Sequence, residues 1–454
     1  MSTLFLLFIV ISAVAVLLIL VLKLKISAFI SLLITAIYVG IVAGMPLNEI
    51  AISIQDGMGG TLGFVATVVG LGAIFGQMLE SSGGAESLAR SLLKKFGKEK
   101  ASWAMVLTGF IVAIPVFLDV GFIILVPIIY ALSRDTKRSL LYYGIPLLAG
   151  LAVTHSFIPP TPGPVAVADI INVQLGWVIF FGVILGLPTA ILAGPVWGKY
   201  ISKKINIQPP VELEASFKNS NLENKDDLPS FRLITILIGV PLFLILMNTV
   251  TGVLVSKEIL ANSIYTDIVE FLGHPFSALI IATLLAIYFL CIRRGMPKQK
   301  ILDLSTKALG PAGIIILITG AGGVLKQILV DSGIGKIMAE SIADSAMSPI
   351  ILAWILAAII RVTQGSATVA MITAAGIIAP VINEIGMNDP QRALIVLAIA
   401  SGATLLSHVN DSGFWLVGKY FGMNEKQTLQ SWTVMESIIA VCGLCLTLLA
   451  SMFV

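Results

Sequence analysis

GQMLESSG at residues 76–83 and KQILVDSG at residues 326–333 share Gln77/Gln327, Leu79/Leu329, Ser82/Ser332 and Gly83/Gly333, and upstream Gly70/Gly320 and Gly72/Gly322 keep the same offset. One unit is therefore used twice. Behind each copy come a paired apolar stretch broken by a short polar motif, then a long apolar stretch broken by Pro, Gly and polar residues. In an apolar chain, interrupted segments at matching places of two halves are the pattern of a secondary transporter.

The composition places the chain in a bilayer: 57% of its residues are hydrophobic and 12% charged, with a mean hydropathy of +1.01, outside the range of soluble domains. Apolar spans of membrane-crossing length run near 3–22, 26–44, 61–80, 138–172, 175–198, 232–250, 271–292, 309–330, 391–420 and 431–453. Regions 103–133 and 349–382 are pairs of shorter apolar segments around a polar tip, and read as re-entrant hairpins. The expected fold is an all-α polytopic membrane protein of two inverted repeats, each with about five transmembrane helices, a re-entrant hairpin and a broken helix.

Basic residues gather on the cytoplasmic side of short loops. With both termini outside, 23 of the 28 Lys and Arg residues fall in cytoplasmic loops, three (Lys257, Lys336, Arg392) fall outside, and Lys326 and Arg361 lie at or within the apolar zone. Five crossings per half, an odd number, turn the second copy upside down. The expected units are 1–202, a polar cytoplasmic linker 203–231, and 232–454. The first span has neither a basic leading region nor a small-residue cleavage site, so it is expected to stay as a helix.

Little else competes. Cys291, Cys442 and Cys445 lie in apolar spans and read as packing residues. The net charge of +3 comes from the cytoplasmic loops and does not suggest nucleic acid. Three histidines, His155, His274 and His408, make a histidine-rich metal site unexpected, and no cofactor motif is present.

Function is expected where polar, irregular backbone lies at membrane depth, because it is tolerated there only against protein or a water-filled cavity. Four such places exist: PVFLDVG at 115–121, RVTQGSAT at 361–368, HSFIPPTPGP at 155–164 and SHVNDSGF at 407–414. Four prolines, Pro159, Pro160, Pro162 and Pro164, remove backbone donors and stop a continuous helix. Hairpins and broken helices meeting near the midplane would aim half-helix N-termini at one point, which suits an anionic group. His155, Ser156, Thr161, Gly163, Gln364, Gly365, Ser366, Thr368, His408, Asn410 and Ser412 are the substrate-binding candidates, their hydroxyls and amides suited to a polyhydroxylated molecule. The small-residue run GSAT also permits plain close packing.

Ionisable residues inside a membrane cost roughly 2.5–3.5 kcal/mol each on insertion scales and are functional candidates by default. Asp119, alone in PVFLDVGFIILVP, and Asp411 are the expected proton-coupling carboxylates, Asp119 through burial. Arg361 is the charge partner, pairing with Asp411 or clamping a substrate carboxylate. The static alternative for Asp119 is a cap on the second hairpin arm.

These strings together resemble the gluconate permeases, proton symporters of bacterial inner membranes within a wider ion-transporter superfamily. The resemblance covers nearly the whole chain, through GMGGTLGFVATVVGLGAIFG at 57–76, ESSGGAESLA at 80–89, FLDVGFIILVP at 117–127, HSFIPPTPGPVA at 155–166, QGSATVAMITAAGI at 364–377 and SHVNDSGFWLV at 407–417. It departs from the family pattern at His155-Ser156 and Pro160-Thr161-Pro162, where that pattern reads His-Gly and Pro-His-Pro. The resemblance implies uptake of D-gluconate or a related aldonate with protons, on two inverted repeats with a moving transport domain. Hairpins and broken helices would slide as a block against a scaffold that can dimerise, with glycines at 57, 59, 60 and 63 and at 310, 313 and 320 as hinges or as ordinary close-packing positions. The alternatives are a sodium-coupled carboxylate or D-serine transporter of the same fold and, in another class, an intramembrane enzyme. The latter lacks a reactive set such as H-E-x-x-H.

Overall fold

The computed structural model describes residues 3–210, 228–344 and 348–454, and among these there is no strand. Residues 211–227, the middle of the expected linker, lie outside the described residues. The first half runs α1 (Thr3–Leu18), α2 (Ala28–Val42), α3 (Leu47–Ser81), α4 (Gly84–Phe96), α5 (Ala101–Val112), α6 (Leu118–Thr136), α7 (Leu141–Phe157), α8 (Pro162–Ile171), α9 (Leu175–Ile191) and α10 (Trp197–Lys204). The second half runs α11 (Phe231–Ser256), α12 (Ile264–Gly273), α13 (Pro275–Ala286), α14 (Lys298–Asp331), α15 (Ile334–Asp344), α16 (Pro349–Gln364), α17 (Ala367–Ile385), α18 (Asp389–Gly402), α19 (Ser412–Phe421), α20 (Glu425–Thr428) and α21 (Val434–Ser451). With α12 set aside, each half has two helices, a very long one, a short amphipathic one, a hairpin, a broken helix and a closing helix.

The repeated octapeptide is the end of each long helix. Gly83 and Gly333 take φ of +77° and +73°, a left-handed conformation that glycine adopts without a Cβ clash and that ends helices. Just before them, the Ser82 and Ser332 hydroxyls donate to the Leu79 and Leu329 carbonyls at 3.0 and 3.3 Å. Leu79 and Leu329 are buried, and the amides of Gln77 and Gln327 donate to Glu80 at 3.1 Å and to Asp331 at 2.9 Å. Each shared letter of the motif has one job in both places.

Among the described residues eight helices are long and apolar enough to cross a membrane, one of them α17, the second arm of the second hairpin. α1 and α2 are shorter, with 16 and 15 residues, and the expected span 391–420 is split into pieces of 14 and 10 residues. The broken first helix is the centre of the molecule: 89% of the apolar window in Leu141–Ile171 is buried, against 33% in Phe231–Ser256, which therefore faces outward.

α3 and α14, 35 and 34 residues long, pack along each other without interruption. The expected hinge glycines thus stand inside continuous helices. A Cβ at Gly57 would meet the Gly323 carbonyl oxygen and Val324 Cα at 2.7 Å, whereas Gly59, Gly60, Gly63, Gly310 and Gly313 have nothing within 4 Å. Gly57 marks a helix crossing. Gly57→Ala should therefore destabilise by about 1–3 kcal/mol through overpacking, while Gly59→Ala should not, as thermal denaturation in detergent will show.

The two halves interlock through the hairpins. Second arm α6 of the first hairpin meets α19, with Phe122 against the Tyr420 and Phe421 rings at 5.8 and 5.4 Å and the Tyr130 hydroxyl donating to the Tyr420 carbonyl. In the reciprocal contact α17 packs on α8. Arg392 staples that second contact by donating to the carbonyl of Ile171, at the C-terminus of α8, and to Asn383 Oδ1, both at 2.8 Å. Guanidinium bonds of this kind are each worth about 1.5–3 kcal/mol. Arg392→Ala should lower the melting temperature measurably, and Arg392→Lys should recover only part of it.

Candidate functional site

Both hairpin tips lie against the break of a helix, the first against Ile158–Thr161 and the second against Ala403–Asp411. Prolines 159, 160 and 162 force the first break, and Pro162 opens α8. The second break carries no proline; its chain turns through Leu406, at φ +48°, and restarts a helix where Asp411 caps α19 by accepting from the Gly413 amide at 3.1 Å.

At the first tip, Ile114–Phe117 and Pro160–Pro162 line a narrow cleft closed by Val69, Gly72 and Ala73 of α3. The Phe117 ring is 6.0 Å from the His155 ring, and His155 Nδ1 is buried without a hydrogen-bond partner. Asp119 stands in the first turn of α6 within electrostatic reach of His155 and Glu80. It is exposed, contrary to its expected burial, because the hairpin turns before it and leaves the first turn of α6 at the surface. Three first-half candidates point inward. Ser156 is buried, the Thr161 hydroxyl is spent on the Ile158 carbonyl at 2.5 Å, and Gly163 is a packing position where a Cβ would stand 2.6 Å from Met371 Cε.

The second tip is a polar knot. Arg361, 3% exposed, gives Nη2 to Asp411 Oδ2 at 2.6 Å and Nη1 to the Gly365 carbonyl, leaving Nε buried and unpartnered. The Ser407 hydroxyl also donates to Asp411, and Trp432 Nε1 donates to Ser407 at 2.7 Å. His408 Nε2 lies 2.9 Å from the Val362 carbonyl, to which Asn410 also donates at 3.0 Å. These two residues satisfy carbonyls at the C-terminal end of α16. Gln364 Oε1 is buried without a partner. Ser366 caps α17 by accepting from the Val369 amide at 3.4 Å, Thr368 is half-buried and Ser412 is exposed.

Arg361 and Asp411 form the internal ion pair, one of the roles expected for them. Among the described residues no hydrogen bond or ion pair joins the first tip to the second. The structure also brings in groups that the sequence reading passed over. Glu436 is 3% exposed beside Arg361 and Asp411, and Asp169 of α8 lies within electrostatic reach of Lys326 on α14. Both are acidic letters inside apolar spans, a signal readable in the sequence. Away from the predicted residues, a cavity of about 460 Å³ opens between α8, α11 and the start of α13, lined by Asp169, Asp389, Asn172, Asn248 and His274 among others. Its size is that of a small-molecule site, but two carboxylates on its wall disfavour an anion resting there. Among the described residues no cluster of three or more His, Cys, Asp or Glu could hold a metal ion.

Comparison with known proteins agrees with this architecture. The family model for GntP family permeases matches residues 4–453. A gluconate permease of Pseudomonas aeruginosa is 42% identical over 437 residues, covering 96% of this chain and 95% of the relative. The gluconate permease of Bacillus subtilis is 39% identical, covering 96% and 97%, and the Gnt-II system L-idonate transporter of Escherichia coli is 38% identical with the same coverage. Among solved structures, the Alcanivorax borkumensis YdaH transporter aligns at a TM-score of 0.64 with 14% identity, covering 94% of this chain and 97% of its own. Neisseria gonorrhoeae MtrF, described among antimetabolite efflux pumps, aligns at 0.65 with 13% identity, covering 92% and 93%. At such identities these two speak for the fold alone.

Proposed function

The chain belongs to the GntP family of permeases, multi-pass membrane transporters and not enzymes, and from that premise we propose that it imports a sugar acid, D-gluconate or a related aldonate, in symport with protons. The observation that carries the reading is the pairing of a hairpin tip with a broken helix in both halves, with unspent buried polar atoms at each: His155 Nδ1 at one, Arg361 Nε and Gln364 Oε1 at the other. Such groups await a partner. Relatives named for gluconate and L-idonate supply the substrate class.

In this reading the chain sits in a bacterial inner membrane with both termini outside, the linker in the cytoplasm and the second half inverted, as the distribution of basic residues favours. Hairpins and broken helices move as an elevator block against α1, α2, α11 and α13. The outward face of α11 offers a surface on which two copies would dimerise. Asp119, exposed at the first tip beside His155, exchanges protons with water. Asp411 holds Arg361 until a substrate carboxylate competes for the guanidinium.

The test is uptake of labelled D-gluconate into proteoliposomes under an inward proton gradient, with and without sodium, competed by sugar acids and D-serine. Gradient-dependent, sodium-independent accumulation supports the symporter; accumulation that requires sodium overturns the coupling, and failure of every sugar acid to compete overturns the substrate class. Asp119→Asn should lose most gradient-driven accumulation. Wild-type accumulation in that variant would remove Asp119 from the proton path.

A further inference from the structure

Glu436 is the third residue of α21, within electrostatic reach of both members of the Arg361–Asp411 knot, and is 3% exposed with Oε1 lacking a hydrogen-bond partner. Its surroundings are stitched tightly. One turn earlier Trp432 donates to Ser407 at 2.7 Å, Thr433 donates to the Ser407 carbonyl, and Ser407 donates to Asp411. From the other side Trp354 of α16 donates to the Ala440 carbonyl at 3.1 Å. α21 packs on α18, α9, α7 and α16. α9 has no titratable residue, α18 has only Asp389 and Arg392 in its first turn, and α7 has Tyr142, Tyr143 and His155. Arg361 and Asp411 are the charges within electrostatic reach of Glu436.

The charge count at this knot is uneven. One guanidinium faces two carboxyl groups, and Asp411 already takes that guanidinium at 2.6 Å and accepts two further hydrogen bonds, from Ser407 and from the Gly413 amide. Asp411 thus has the acceptor-only role of an ionised carboxylate. An ionised Glu436 would be a second, uncompensated buried charge with an oxygen lacking a donor, an expensive arrangement. A neutral Glu436 leaves the knot balanced.

We propose that Glu436 is a proton-carrying carboxyl of the transport cycle, protonated while Arg361 is locked to Asp411 and deprotonated when hairpin two parts from the 407–411 loop. On opening, Asp411 leaves with its loop and Arg361 loses its counter-charge. The Glu436 O–H bond then breaks, its electron pair stays on the carboxylate, which pairs with Arg361, and the proton passes to water admitted by the opening. On closing over substrate at the outer side, Asp411 regains the guanidinium and Glu436 takes a proton back from water, and on opening at the cytoplasmic side it releases that proton. The empty return leaves Glu436 ionised on Arg361, so one proton enters with each substrate.

This inference rests on the proton-symport reading, and two readouts separate them. In Glu436→Gln proteoliposomes, gradient-driven gluconate accumulation should fall at least tenfold, and gluconate counterflow should lose the part of its pH dependence that Asp119→Asn retains; Glu436→Asp should restore part of both. Infrared spectra of the purified wild type with gluconate bound near neutral pH should show a protonated-carboxyl C=O band that Glu436→Gln removes. A Glu436→Gln counterflow profile with the wild-type pH dependence, or an infrared spectrum with no band assignable to Glu436, overturns the proposal. Should the variant fold poorly, carboxyl-specific isotope labelling of glutamate, compared between the wild type and Glu436→Asp, assigns the band. Absence of proton-driven accumulation in the wild type itself would strike the symport reading, whereas the infrared band reports on Glu436 alone.

Discussion

Arg361→Gln should abolish transport and lower the unfolding free energy by about 3–5 kcal/mol, the cost of leaving one partner of a buried ion pair alone. The expectation follows from what Arg361 holds. Its guanidinium, 3% exposed, binds Asp411 across 50 residues of sequence and the carbonyl of Gly365 on its own tip. Without it, Asp411 keeps only the Ser407 hydroxyl and the Gly413 amide, and the loop that carries His408 and Asn410 loses its anchor to hairpin two. Glutamine is shorter and uncharged and cannot replace a forked donor. The check is paired: counterflow of labelled gluconate and thermal denaturation in detergent. A double change, Arg361→Gln with Asp411→Asn, should recover much of the stability, because no unmatched charge remains, yet recover no transport. If Arg361→Gln retains both properties, the knot is neither a stability element nor a gate.

Much of this architecture is legible in the amino-acid sequence, for physical reasons that differ by element. The repeated GQMLESSG/KQILVDSG motif was readable because a helix stop needs particular letters: a left-handed glycine, a serine that bonds back and a buried leucine. The first helix break was readable because proline cannot donate. Arg361 and Asp411 were legible as an isolated pair of opposite charges in apolar surroundings, although only the fold chooses between an ion pair and a substrate clamp. Asp119 was misjudged as buried since an apolar neighbourhood in sequence does not say which way the first turn of a hairpin arm faces. Ser366 and Thr161 read as substrate hydroxyls, but their oxygens serve a helix cap and a local carbonyl, local uses that compete with ligand contacts wherever Ser and Thr stand at helix ends. The glycines read as hinges include two at a helix crossing, Gly57 and Gly320, and several at open surface. Glu436 is legible as an acidic letter in an apolar span, but its neighbours Asp411 and Arg361 lie 25 and 75 residues away in sequence, a proximity only the fold creates.

Gly365→Ala should cut transport more than a hundredfold and destabilise by about 2–5 kcal/mol, from backbone strain and overpacking together. Gly365 takes φ +87° at the end of α16, where a Cβ costs about 1–2 kcal/mol. That Cβ would also stand 2.6 Å from the carbonyl carbon of Asn410 and 2.8 Å from its Cγ. The methyl group is thus a wedge between the hairpin tip and the second helix break, at the same seam that Arg361 and Asp411 close. Gly333→Ala separates the two contributions: its φ is +73° but nothing lies within 4 Å of the new Cβ. It should show the strain of about 1–2 kcal/mol alone and retain most transport. Adding Asn410→Ala to Gly365→Ala should not rescue activity, because the atoms closest to the methyl group are the backbone carbonyl of Asn410 and survive the change. Rescue by that double variant would mean that the seam yields through side chains, and the gate would then lie in the Asn410 amide rather than in the approach of the two backbones.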